Sequence, residues 1–205
     1  IYPYPGSGCI IIYESQSFIE GSHIYALALD GNGAVQNDWI GPVILSDLSG
    51  DQYYEGSALT ATGIFISFKD NTSGNYNVFG QHIWWVGTLR FGTSGEAIAS
   101  SGADNQSSHL AYDSGQDEIF ICYESLEGSE TDIHCNEVHL ASLIIDDGFI
   151  LVGNDFNQNN PFVYWSGHSF MVSWEDGRNT TDSNPEQDIY FQEYTRGDFS
   201  FVSGG

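Results

Sequence analysis

Apolar and polar positions alternate along the chain in short runs that return in the same order. Four segments share one plan: CIIIYES then HIYAL, IFISFKD then NVFGQ, EIFICYES then DIHCN, and FMVSWED then DIYFQ. Alignment puts Tyr13, Phe68, Tyr123 and Trp174 at one position, spaced by 55, 55 and 51 residues. Ile24, Val78, Ile133 and Ile189 fall at another, spaced by 54, 55 and 56. Two landmarks holding one period mark an internal repeat.

Within each unit the first landmark strand is apolar at nearly every position. Ile64, Ile66 and Phe68 take one face and Phe65 and Ser67 the other; Ile119, Ile121 and Tyr123 repeat this opposite Phe120 and Cys122. Strands apolar on both faces belong to sheets packed between two neighbours. A short strand precedes each, at SALTATG, SHLAYDS and PFVYWSG, and a variable one closes units at PVILSD, EAIAS and FILVGND. The pattern predicts an all-β chain of four-stranded antiparallel meanders. Sheets of this kind repeated every ~40–55 residues are the blades of a β-propeller. We place four blades in one domain spanning 1–205, at 1–56, 57–107, 108–160 and 161–205. A β-sandwich is the main rival, but it does not require the repeat. The ends are ragged: Ile1 to Tyr4 barely supply an innermost strand, and the last blade draws its final strand from FSFVSGG.

Composition supports strands, with 24 Gly and 15% aromatics against five Pro. Charge narrows the partners. Twenty-eight acidic residues against four basic ones give a formal net charge of −24, which repels nucleic acid and anionic membranes and favours cations. No apolar run approaches a membrane span. The chain begins at Ile1 rather than Met, as a processed or trimmed product does, and a removed secretion signal leaves this appearance. Three cysteines are too few for a disulfide framework. If Ser125 faces Asp132 across their hairpin, Cys122 faces Cys135 and a cross-strand disulfide is within reach.

The run Trp174-Glu175-Asp176-Gly177-Arg178, a polar loop, then Asp188-Ile189-Tyr190-Phe191-Gln192 resembles a repeat of secreted bacterial β-propellers. The first unit keeps the following turn at Leu29-Asp30-Gly31-Asn32-Gly33; the others keep skeletons, such as Phe68-Lys69-Asp70 with Gln81. The resemblance implies an extracellular propeller module with a binding or architectural role, and it implies no reaction.

Candidate chemistry sits in the hairpin loops. Asp176, Asp182 and Asp188 surround the last one, and Asp70 is followed by Asn71 and Asn75 in the second unit; such oxygens suit Ca²⁺. The structural alternative is that these carboxylates bind turn amides and Arg178. No segment matches the EF-hand loop. Asn71, Asn105 and Asn179 head sequons expected in exposed loops. Trp84, Trp85 and Trp165 are candidate platforms for sugar rings, with blade packing as the alternative. The six histidines show no metal-enzyme spacing, and no nucleophile elbow or P-loop is present. A glycosidase needs two converging carboxylates, and the three innermost strands identified above offer Asp113 as their only acid.

These residues lead to the expectation of a secreted, non-enzymatic propeller with a structural or adhesive role, including self-assembly into a surface filament. Its expected partners are other copies, surface proteins or glycans, with calcium as the one candidate cofactor. A carbohydrate-binding propeller is the alternative, and a glycoside hydrolase comes third.

Overall fold

A computed structural model describes residues 1–17, 21–100, 102–153, 156–179 and 187–195. The described residues contain strands and turns but no helix. The first sheet comprises β1 (Tyr2–Pro3), β2 (Cys9–Ser17), β3 (Gly21–Leu29) and β4 (Val43–Ile44). The second comprises β5 (Gln52–Leu59), β6 (Gly63–Asp70), β7 (Asn77–Trp84) and β8 (Glu96–Ala99). The third holds β9 (Asp104–Asp113), β10 (Glu118–Glu127), β11 (Glu130–His139), β12 (Ile144–Ile145) and β13 (Phe149–Val152), the last two both pairing with β11. The fourth holds β14 (Gln158–Trp165), β15 (Phe170–Asp176) and β16 (Asp188–Tyr194). All pairings are antiparallel. The closing strand expected at FSFVSGG lies outside the described residues.

The repeat is visible in the register. Glu14 faces Ile24, Lys69 faces Val78, Glu124 faces Ile133 and Glu175 faces Ile189, the same pair in every sheet. The blade boundaries are corrected. Innermost strands start at 52, 104 and 158, not 57, 108 and 161, so the boundaries drawn from sequence cut through β5, β9 and β14. These strands open on polar residues and carry bulges at Tyr54/Gly56 and Asn159/Phe162, while β10 shifts against β9 at Cys122/Glu124. A bulge breaks the period-2 alternation by which a strand is recognised.

Each of the first three sheets turns a leading face toward the next, which meets it with its trailing face. Ile10, Ile24 and Ala26 lead the first sheet onto Ile64, Ile66 and Phe68. Phe65 and Val78 lead the second onto Ile119, Ile121 and Tyr123. Phe120, Cys122 and Ile133 lead the third onto Val172, Trp174 and Tyr194. Each fully buried Ile or Phe contributes about 1.5–3 kcal/mol. Carboxylates stitch the joints. Glu14 Oε1 accepts the Tyr54 N–H at 2.8 Å, and Glu124 Oε1 accepts the Asn160 N–H at 2.7 Å. The second sheet has Lys69 at this position, and Glu55 substitutes, accepting the N–H groups of Ser107 and Ser108 at 2.7 and 3.0 Å. Ser107 and Asn160 have φ of 53° and 54°, a left-handed conformation that costs a side-chain-bearing residue roughly 1–2 kcal/mol. The clamps hold those residues in place.

The leading face of the fourth sheet is open. Ile189 is 69% exposed where Ile24, Val78 and Ile133 are fully buried, and Phe162, Tyr164 and Phe191 are exposed beside it. Ile189 holds the repeat position of those three, but its own sheet presents it outward, and among the described residues no further sheet covers it.

Candidate functional site

Between the third and fourth sheets, where β9 turns into β10 and β14 into β15, lies a cleft of about 510 Å³. The tight turn at 114–117 sets Asp113 opposite Glu118, and β11 brings His139 opposite Glu118 on its other side. All three lie on the leading face, in one row across the third sheet. The fourth sheet answers with an aromatic row on its trailing face, Trp165, Phe170 and Tyr194, aligned by the same kind of register. Beneath them Phe120 stacks on Phe170 and Tyr194, with ring centroids 4.8 and 4.7 Å apart. An acidic row thus faces an aromatic row across an open gap.

The polar row is held in place. Asp113 Oδ1 accepts the Gly115 N–H at 2.7 Å, which fixes the turn. His139 contacts Glu118 through Nδ1 and Asp146 Oδ2 through Nε2, the latter at 2.8 Å. The Tyr194 hydroxyl donates to Glu137 Oε1 at 3.0 Å and joins the two sheets. Ligand atoms of Glu118, Glu137 and His139 lie within 4.8 Å of one another, close enough to share a metal ion. Each already has a protein partner. Chemically the cleft offers carboxyl groups for proton transfer or nucleophilic attack and flat apolar surface for a sugar ring.

Of the residues singled out from sequence, Trp165 and Asp113 line this cleft. Trp84 ends β7, where it pairs with Gly63, and Trp85 lies in the turn that follows. The Arg90 guanidinium lies 5.0 Å from the Trp84 ring centre, and Trp85 is half-buried, its Nε1 donating to the Ala61 carbonyl at 3.3 Å. Glu118, His139 and Tyr194 were not foreseen. The signal for Glu118 was the D-S-G-Q-D-E run, whose turn places 113 against 118.

Several expectations are corrected. Asp176 follows the structural alternative given above, its oxygens taken up by Arg178 and Trp174. Arg178 donates through Nε to Oδ1 at 2.9 Å and through Nη2 to Oδ2 at 2.5 Å, and Trp174 Nε1 donates to Oδ2 at 3.2 Å. Burial works to raise the Asp176 carboxyl, but the hydrogen bonds from Arg178 and Trp174 prevail and hold it below the usual range. Asp188 Oδ2 accepts from Asn179 Nδ2 at 2.7 Å, and Asp182 lies outside the described residues. Asn105 is in β9 rather than an exposed loop, 1% exposed, with Nδ2 donating to the Ala103 carbonyl. Asn71 Oδ1 accepts the Asp51 N–H, and Asn179 is exposed beside Tyr190. Cys122 and Cys135 pair across β10 and β11 and form a disulfide, with Cα atoms 4.1 Å apart.

No protein-family model matches the chain, and no curated protein matches it. Among solved structures it is similar to an endo-arabinase from Bacteroides thetaiotaomicron VPI-5482, with TM-score 0.52 and 9% identity, over 96% of this chain and 74% of that one. A GH43 endo-arabinanase from Bacillus licheniformis aligns at TM-score 0.44 and 12% identity, over 93% of this chain and 70% of that one. The first likeness shows the fold, an all-β propeller. It also overturns the expectation of a non-enzymatic scaffold built for adhesion or filament assembly. A propeller of this form carries an enzyme in its solved counterpart. The ground for expecting no enzyme was that Asp113 stood alone, and the cleft sets a second carboxyl group, Glu118, opposite it.

Proposed function

We propose that the cleft between the third and fourth sheets binds a polysaccharide and hydrolyses a glycosidic bond. The observation that carries this is the opposition of the Asp113–Glu118–His139 row to the Trp165–Phe170–Tyr194 row across an open gap. Sugar rings are apolar on their faces and hydroxylated at their edges. Trp165 takes a face, and the acidic row takes the edges. Asp113 and Glu118 form the carboxyl pair: one protonates the leaving oxygen while the other, ionised, supports attack at the anomeric carbon. His139 positions Glu118. The similarity to an endo-arabinase makes arabinan the first substrate to try. An extracellular setting suits this reading, supported by the acidic surface, the disulfide and the resemblance to secreted propeller repeats.

Turnover of arabinan and a panel of plant and microbial polysaccharides tests it. Asp113→Asn and Glu118→Gln are each expected to lower kcat by about 10²–10⁴-fold. Trp165→Ala is expected to raise KM about tenfold with kcat little changed, the effect of losing one stacking surface. Full turnover in both carboxyl variants sinks the assignment.

A further inference from the structure

Three sheets repeat a polar cross-strand row just past the aromatic landmark: Gln52–Asp70–Asn77 in the second, Asn105–Ser125–Asp132 in the third and Gln158–Asp176–Asp188 in the fourth. The second and fourth are directly comparable because both centre on a buried aspartate. In each, the inner oxygen caps its own turn. Asp70 Oδ1 accepts the Thr72 N–H at 2.8 Å, as Asp176 Oδ1 accepts that of Arg178 at 2.8 Å.

The outer oxygens differ. Asp176 Oδ2 is met by two donors, the Arg178 guanidinium and the Trp174 indole. The second sheet has Thr72 and Phe68 at those positions, so both donors are missing. Among the described residues nothing donates to Asp70 Oδ2, although Asp70 is only 1% exposed. Directly opposite on β7, Asn77 is 7% exposed, and its Oδ1 also lacks a donor, while its Nδ2 is given to Ser73 Oγ at 2.6 Å. Two directly opposed buried residues on one face therefore each carry an acceptor oxygen without a donor, one of them a carboxylate's.

A buried carboxylate needs a compensating positive charge. The chain has four basic residues. Lys69 donates to Gln106 and lies over the Tyr76 ring, Arg90 lies over Trp84, Arg178 is bound to Asp176, and Arg196 is outside the described residues. We propose that Asp70 Oδ2 and Asn77 Oδ1 hold a hard metal cation, in the place that Arg178 fills in the fourth sheet. An all-oxygen pair of carboxylate and amide suits calcium, with carbonyls and water completing its shell. This site is remote from the glycan cleft and independent of the reading given for it.

Calcium is titrated by calorimetry into chelator-treated protein at physiological salt, with melting temperature followed in parallel. One saturable site is expected, with a rise in melting temperature that Asp70→Asn abolishes. Asp70→Asn weakens affinity at least about tenfold, and Asn77→Asp, which adds a carboxylate, tightens it by a similar factor. Terbium luminescence sensitised by Tyr76 is expected in the native chain and lost in Asp70→Asn. The proposal is overturned if calcium binding is unchanged in Asp70→Asn, the result of diffuse attraction to the acidic surface. It is equally overturned if the native chain shows no saturable binding and side-chain amide resonances show Asn77 donating to Asp70.

Discussion

His82 shows how much one side chain's surroundings decide. The ring is buried, with Nε2 3.0 Å from Thr60 Oγ1, and loss of hydration together with the nearby Arg90 charge pushes it down to about 4. Burial lowers His109 and His134 in the same direction. The sign follows from linkage: a base whose folded value is depressed is neutral when folded, so acid favours the unfolded chain. Stability from His82 is complete above its ordinary value near 6.5 and is lost as pH falls toward 4. The expected slope is about 1.4 kcal/mol per pH unit for this residue, read by urea denaturation between pH 6.5 and about 5, above the carboxylate range. His82→Gln is expected to flatten it; an unchanged slope places the proton uptake elsewhere. At this scale the sequence was partly legible. The Cys122–Cys135 pair followed from hairpin register alone. The difference between Asp70 and Asp176 did not, because it depends on which donors converge on an oxygen: Arg178 had been named as a partner for these carboxylates, but the Trp174 indole had been read only as a repeat letter.

Elements were legible wherever alternation held. The landmark strands and their register were recoverable because each needs an apolar face on both sides, which leaves a dense, period-2 signal. The innermost strands were misplaced by their bulges, and the clamps at those bulges were invisible, since Glu14, Glu55 and Glu124 look like ordinary surface acids. Their role predicts an asymmetric result. Glu124→Ala strips the acceptor from the Asn160 N–H and leaves a left-handed residue without its anchor, costing about 1–3 kcal/mol. Glu124→Gln keeps an acceptor oxygen and is expected to cost less than half as much. Denaturant midpoints give the size, and amide exchange at Asn160 gives the location; protection retained there in Glu124→Ala rules the clamp out.

At the scale of the whole molecule, the fold was read from the period and the function misread from the absence of a motif. The cleft draws Asp113, Glu118, Trp165, Phe170 and Tyr194 from two sheets and five strands, so no linear pattern carries it. The net charge of −24 has its own consequence. Self-repulsion destabilises the compact state and is screened by salt, so the melting temperature is expected to rise between low and about 0.5 M choline chloride, a salt with no hard metal ion. A fall over that range contradicts this. The order of strands reaches further still. Among the described residues every sheet is assembled from consecutive strands, and none is lent to a neighbour. A growing polypeptide can therefore finish the first sheet before the second has been made, and each later one condenses on a leading face already in place. Such a chain needs no early meeting of distant segments, which favours quick, stepwise folding from hairpins. It also makes the loops between sheets, rather than those within them, the natural points at which whole units can be gained or lost.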